Sequence, residues 1–141
     1  MKNRKHASTS KRIFATIIDY FVFTLTFFIY ALYFGEETID GYTVTGIMVF
    51  PIIIFWFCYF IAVEGFYQAT LGHQLFNITV RQENNKSIDI GHSFKRRILD
   101  IIDLSMFGIP ALIAISNSKK RQRLGDMYAK TIVVEDTYVE A

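Results

Sequence analysis

The chain has 141 residues, 52% of them hydrophobic and 16% aromatic, with two prolines and a formal net charge of +2. That length and composition fit one compact domain and exclude an intrinsically disordered chain. The single cysteine, Cys58, excludes an intrachain disulfide and offers no metal-binding spacing, so it reads as a small hydrophobic filler.

Residues 1–11, MKNRKHASTSK, form a polar, basic segment, and with Arg12 they set five Lys and Arg residues directly before the first apolar run. Basic residues beside a span are retained in the cytoplasm, which predicts a cytoplasmic N-terminus. The run 12–34, RIFATIIDYFVFTLTFFIYALYF, is long enough to cross about 30 Å of hydrocarbon at about 1.5 Å per helical residue. It is too long for a signal peptide's apolar region and lacks a small-residue cleavage site, so it is expected to stay in the mature protein. Its one internal charge, Asp19, costs roughly 2.5 to 3.5 kcal/mol in lipid and must face protein or water.

Gly35 to Thr43 carries Glu36, Glu37 and Asp40 and no basic residue, as an outside loop should. A second span is predicted over 44–63, with Pro51 and Trp56 inside it and Glu64 at its inner end. Two short β-rich runs, LFNITV and SIDI, then flank the polar turn Glu83-Asn84-Asn85-Lys86 and predict a hairpin. AKTIVV, from Ala129 to Val134, is a third such run, and the three are expected to pair into a small cytoplasmic sheet.

Between these runs lies a third membrane element at about 94–117, long enough to cross but carrying Asp100 and Asp103 and interrupted at Gly108-Ile109-Pro110. Lys95, Arg96 and Arg97 precede it; Lys119, Lys120, Arg121 and Arg123 follow. A full crossing would export the second cluster and part AKTIVV from its partners. A broken or re-entrant helix pair bending near Gly108-Pro110 keeps both clusters inside, and proline favours the break. The KKRQR run is read as an anchor for anionic lipid heads, at about 1 kcal/mol per basic residue, and not as a nucleic-acid site.

This topology gathers the charges at one membrane face. Arg12 and Asp19 are seven residues apart on nearly one helix face, and Arg96 and Arg97 stand four and three residues before Asp100. Asp19, Glu64, Asp100 and Asp103 are the candidate ion or proton ligands, with Arg12, Arg96 and Arg97 as charge partners and Asp126 at the inner mouth. Burial raises a carboxylate pKa and a neighbouring arginine lowers it, an opposition that suits proton exchange. The same residues also suit a structural network holding membrane helices to a sheet, because polar groups in lipid must pair somewhere. His6, His73 and His92 have no ligand spacing, and His73 is expected at the surface or interface. No nucleophile, metal or cofactor motif appears, so no enzyme and no cofactor is expected.

KRIFATIIDYFVF, TLGHQLFNITVRQENNKSIDIGHSFKRRILDIIDL and KRQRLGDMYAKTIVV together resemble the RDD family of small membrane proteins, over about residues 11 to 136. The resemblance implies that Arg12, Asp19 and Asp126 are the arginine and two aspartates for which the family is named, with Arg97 on a family-like arginine. It also implies transport, including cation/proton antiport, for some members. His73 stands where the family usually has lysine or another small-loop residue, and Asn84-Asn85-Lys86 replaces a more usual Asp-Gly turn.

The expected architecture is therefore an all-α membrane protein with two transmembrane helices, a broken or re-entrant third membrane helix pair and a small cytoplasmic β-element. A basic N-terminus at 1–11, a membrane domain at 12–136 and a C-terminal tail at 137–141 divide the chain. It is expected to be a multi-pass protein of the cell (inner) membrane that contributes to transport of a monovalent cation or proton; the alternative is a non-transporting scaffold or accessory subunit. Two or three spans do not enclose a pathway alone, so a homo-oligomer or a membrane partner protein is expected, and no nucleic acid.

Overall fold

The computed structural model describes residues 5–135. Lys2, Arg4 and the 137–141 tail lie outside the described residues. Helix α1 (Thr9–Phe34) starts three residues ahead of the expected span because Ser8 caps it, its hydroxyl accepting from the Lys11 amide. Helix α2 (Gly46–Tyr67) opens with a 3-10 turn, so Pro51 falls in the first turn of its α-helical part and removes no needed donor. It widens into a π turn at Cys58–Ala62 and runs on to Tyr67, which puts Glu64 inside the helix and not at its end. The most apolar stretches of both helices are only 11% buried within the molecule. A core helix of a water-soluble domain would bury such a stretch; exposed Phe14, Ile17, Phe21, Phe28 and Phe50 instead suit hydrocarbon.

The loop joining α1 and α2 contains a short hairpin that the sequence reading did not anticipate: β1 (Glu36–Thr38) pairs antiparallel with β2 (Gly41–Thr43). At the other end of α1 stands a second two-stranded sheet. Helix α3 (Leu71–Leu75) leads into β3 (Ile78–Gln82), and β3 pairs antiparallel with β4 (Thr131–Glu135), Val80 opposite Val133. Ala7, Ala15, Ile78, Val80, Ile88 and Val133 form the apolar core under this sheet. The segment before α1 runs along β4: the Ala7 amide donates to the Val133 carbonyl and the Glu135 amide to Lys5. Along the outer side of β3, the Val80 amide donates to Gln68 and the Gln82 amide to Lys86.

The expected LFNITV–SIDI hairpin is corrected here. The polar turn forms, with Asn85 left-handed, but the return arm bridges only at Arg81 and Ser87. Gln68 explains the early end: its side-chain amide accepts from the Ile88 N–H at 2.6 Å and donates to the Ile88 carbonyl at 2.9 Å, using both backbone groups a ladder would need. Asp89 then caps helix α4 (Ile90–Ile98), accepting from the His92 amide at 2.9 Å.

Two further helical pieces follow, α5 (Asp100–Asp103) and α6 (Ser105–Asn117). Helix α6 is broken at its start, where Met106, Phe107 and Gly108 are all left-handed, with φ of 48°, 59° and 82°. In an unbroken helix the Pro110 ring would strike the carbonyl four residues back, which belongs to Met106, and the break begins there. Helix α7 (Leu124–Ala129) ends in left-handed Lys130 and leads into β4.

A hidden repeat connects α3–β3 with α7–β4. At a constant offset, Gln68 matches Arg121, Leu71-Gly72 matches Leu124-Gly125, Asn77 matches Lys130 and Val80 matches Val133. Gln68, Arg121, Asn77 and Lys130 all have positive φ. Each glycine admits a close approach: a Cβ on Gly72 would lie 2.1 Å from the Ala15 carbonyl oxygen, and one on Gly125 would lie 2.3 Å from that of Arg96. Gly72→Ala and Gly125→Ala are each expected to destabilise the protein by roughly 2 kcal/mol or more through overpacking against backbone, read as a lowered melting temperature in detergent; a melt unchanged by either would refute this packing.

Candidate functional site

Arginines and carboxylates from α1, α2, α4, α5 and α7 meet in one buried cluster. Glu64 of α2 accepts from Arg96 Nη1 at 2.5 Å and from Arg97 Nη2 at 2.6 Å. Arg96 Nε reaches Asp126 Oδ1 at 2.8 Å, and Arg12 Nη2 takes the other Asp126 oxygen while its Nη1 donates to the Arg121 carbonyl. Arg97 Nη1 donates to Asp100 Oδ2 at 3.1 Å, an oxygen that also accepts from the Tyr20 hydroxyl, and the guanidinium lies 4.9 Å from the Phe60 ring centroid. Asp103 instead takes two backbone donors at the start of α7, Leu124 at 3.1 Å and Gly125 at 2.9 Å. Asp126 closes the same turn by accepting from the Arg123 amide at 3.0 Å.

Four arginines, Arg12, Arg96, Arg97 and Arg123, thus face four acids, Glu64, Asp100, Asp103 and Asp126, and all eight are buried. The charges cancel. In a low dielectric each one left alone would cost several kcal/mol, so the set is stable only when complete. Burial alone would raise the Asp126 pKa, but Arg12, then Arg96 and Arg123, hold it well below the usual carboxylate range. Burial disfavours the charge on Arg97 too, yet Glu64 and Asp100 bind its proton more tightly than usual.

Asp19 stands apart, which corrects the expectation that Arg12, Arg96 and Arg97 would hold it. It is 1% exposed, and among the described residues no arginine hydrogen-bonds to it. Its donors are the Tyr59 hydroxyl at 2.9 Å, the Thr70 hydroxyl at 2.5 Å and the Gly72 amide at 2.8 Å. His73 Nδ1 lies 2.7 Å from Thr70 Oγ1 and 3.5 Å from Asp19 Oδ2. The single Thr70 proton goes to Asp19, so His73 supplies the next proton from Nδ1 and keeps Nε2 as its basic nitrogen. His73 is therefore buried within the site and not at a surface or interface, a second correction. Among the described residues no three His, Cys, Asp or Glu side chains converge to hold a metal ion.

The repeat supplies the signal that would have found His73 and Arg123. Leu71-Gly72-His73 and Leu124-Gly125-Asp126 each begin a short helix whose glycine amide donates to a carboxylate of another helix, Asp19 in one case and Asp103 in the other. His73 occupies the position of Asp126, and Thr70 that of Arg123. Tyr20 and Tyr59 carried no such signal, because tyrosines at these depths resemble interfacial anchors.

Arg96 bridges Glu64 and Asp126, so Arg96→Met takes one arginine from each of two buried acids and leaves the cluster with one uncompensated negative charge. It is expected to cost about 3 to 5 kcal/mol, with Arg96→Met/Glu64→Gln recovering part of the loss in a double-mutant cycle of denaturation in detergent. Additive effects would show that the pair is not coupled. For His73, burial comes first and pushes the pKa below the usual value, opposed by the bond to Asp19 and by Glu64. An imidazole kept neutral by folding must charge on unfolding as the pH falls past about 6.5, so this group makes the protein lose stability with acidification from there downward. His73→Gln is expected to flatten the fall in melting temperature between about pH 7 and pH 5; an unaltered slope would refute a neutral buried His73.

A family model described as the RDD family matches residues 6–130, most of the chain. No curated protein and no solved structure matches it. The match spans both long apolar helices and every residue of the buried cluster, and the chain belongs to the RDD family.

Proposed function

We propose that this protein is a multi-pass protein of the cell membrane, its N-terminus in the cytoplasm, that exchanges a proton at Asp19, Thr70 and His73. One observation carries the reading: among the described residues Asp19 is a buried carboxylate of a long apolar helix whose partners are neutral donors and an imidazole, whereas Glu64 in the other long helix is held by Arg96 and Arg97. The clustering of basic residues at 1–12, 95–97 and 119–123 supports an orientation with the sheet on the cytoplasmic side. The left-handed break at Met106–Gly108 supports a third element that bends instead of crossing.

The chemistry is a short relay. A proton taken up at His73 Nε2 frees the one on Nδ1; Thr70 Oγ1 accepts it and passes its own proton to Asp19 Oδ2. Asp19 becomes a neutral acid, His73 returns to a neutral imidazole of the other tautomer, and the Tyr59 hydroxyl remains on the far Asp19 oxygen. The relay carries protons without making or breaking a covalent bond between heavy atoms, so the role is that of a carrier and not of an enzyme. Two long helices do not surround a pathway, and a homo-oligomer or a membrane partner completes it.

A second reading, a scaffold or accessory subunit without transport, draws on the four-against-four cancellation of charge, which accounts for those eight residues by stability alone. Asp19→Asn and His73→Gln separate the two. In proteoliposomes with an imposed pH gradient, each variant is expected to lower proton flux roughly tenfold or more while melting within a few degrees of wild type. Wild-type liposomes with no flux above protein-free vesicles would overturn proton exchange in favour of the scaffold.

A further inference from the structure

A cavity of about 430 Å³ opens between α1 and α6 beside the cluster. Its apolar wall includes Ile13 and Ile17 of α1 and Leu112 and Ile115 of α6. Its polar wall contains all four clustered arginines with Thr16, Tyr20 and His73, and among the described residues no carboxylate lines it. The neutral cluster is therefore polarised, with its acids behind and its guanidinium groups against the cavity.

Two of those arginines have bonding capacity to spare. The Nε atoms of Arg97 and Arg123 are buried without a hydrogen-bond partner. Arg123 is 7% exposed, and its guanidinium meets acids only at 3.3 Å from Asp100, 3.8 Å from Asp126 and 4.0 Å from Asp103. Among the described residues its side chain donates no hydrogen bond to another group, although a buried donor left unmade is costly. A positive, under-bonded wall calls for an anion. The facing wall is made of aliphatic side chains from helices that are otherwise exposed to hydrocarbon, and it calls for an alkyl chain.

We propose that this cavity binds an anionic membrane amphiphile, its phosphate or carboxylate head on Arg123 and its chain between α1 and α6. A volume of this size accommodates a headgroup and the first part of a chain. The inference rests on the membrane assignment; His73 of the proposed relay lines the same cavity, but the head is placed on Arg123 and its binding is read without any proton flux.

The test is native mass spectrometry of the full chain in a non-ionic detergent, titrated with phosphatidylglycerol, oleate, phosphatidylcholine or inorganic phosphate. At least one of the two anionic amphiphiles is expected to bind roughly tenfold or more tightly than phosphatidylcholine, and the tighter of the pair identifies the source of the head. Arg123→Gln is expected to weaken it by roughly tenfold, the size of one charge-assisted hydrogen bond. Leu112→Trp narrows the cavity from the apolar side, leaves every charge in place and is expected to weaken it similarly, which keeps the test open should Arg123→Gln unfold. Binding of phosphatidylcholine as tight as that of the anions, displacement by inorganic phosphate at equal concentration, or affinity untouched by Leu112→Trp would each overturn the proposal. Partition of the wild-type chain between membrane and soluble fractions reports separately on the membrane assignment.

Discussion

A charge removed from water must meet its opposite, and in this fold that requirement decides where the helices go. Arg96 is the clearest case: from α4 it reaches Glu64 in α2 and Asp126 in α7 at once, so the positions of three helices are fixed by one planar group. Arg12 ties α1 to the same aspartate. Apolar packing between the long helices is sparse, chiefly aromatic contacts such as Tyr20 with Phe60 and Phe23 with Phe55. In hydrocarbon such contacts bring little net gain over contact with lipid, so the ionic cluster supplies the specificity that a hydrophobic core supplies in water.

Much of this was legible in the residues. The two long helices follow from uninterrupted apolar length, and the break in α6 follows from Pro110, displaced only by the geometry of the carbonyl it would hit. Convergence of Arg12, Glu64, Arg96, Arg97, Asp100 and Asp126 was readable because helical spacing and the clustering of charge pointed to one end of the molecule. The pairings within the cluster were not. Which acid meets which arginine depends on how α3 and α7 dock, and that depends on two glycines that lack a Cβ and donate their amides to Asp19 and Asp103. Spacing along α1 put Arg12 and Asp19 on one face, but the α3 backbone reaches Asp19 first.

The β-strands show the same limit. Strand propensity is similar in LFNITV, SIDI and AKTIVV, and proximity in sequence favoured the first two as partners. The Gln68 side chain reversed that choice by occupying Ile88, leaving β3 to pair with β4 far along the chain. A long-range pairing of this kind brings the two halves of the repeat into antiparallel register, with Val80 and Val133 at its centre.

The short sheet has a further consequence for its contact with any second polypeptide. Both of its outer margins are already taken, one by the backbone of residues 5–7 and the other by Gln68 and Lys86. Among the described residues, β3 and β4 leave no free margin for a neighbouring molecule to extend. The aromatic flanks of α1 and α2 are left uncovered instead, at the surface that suits hydrocarbon.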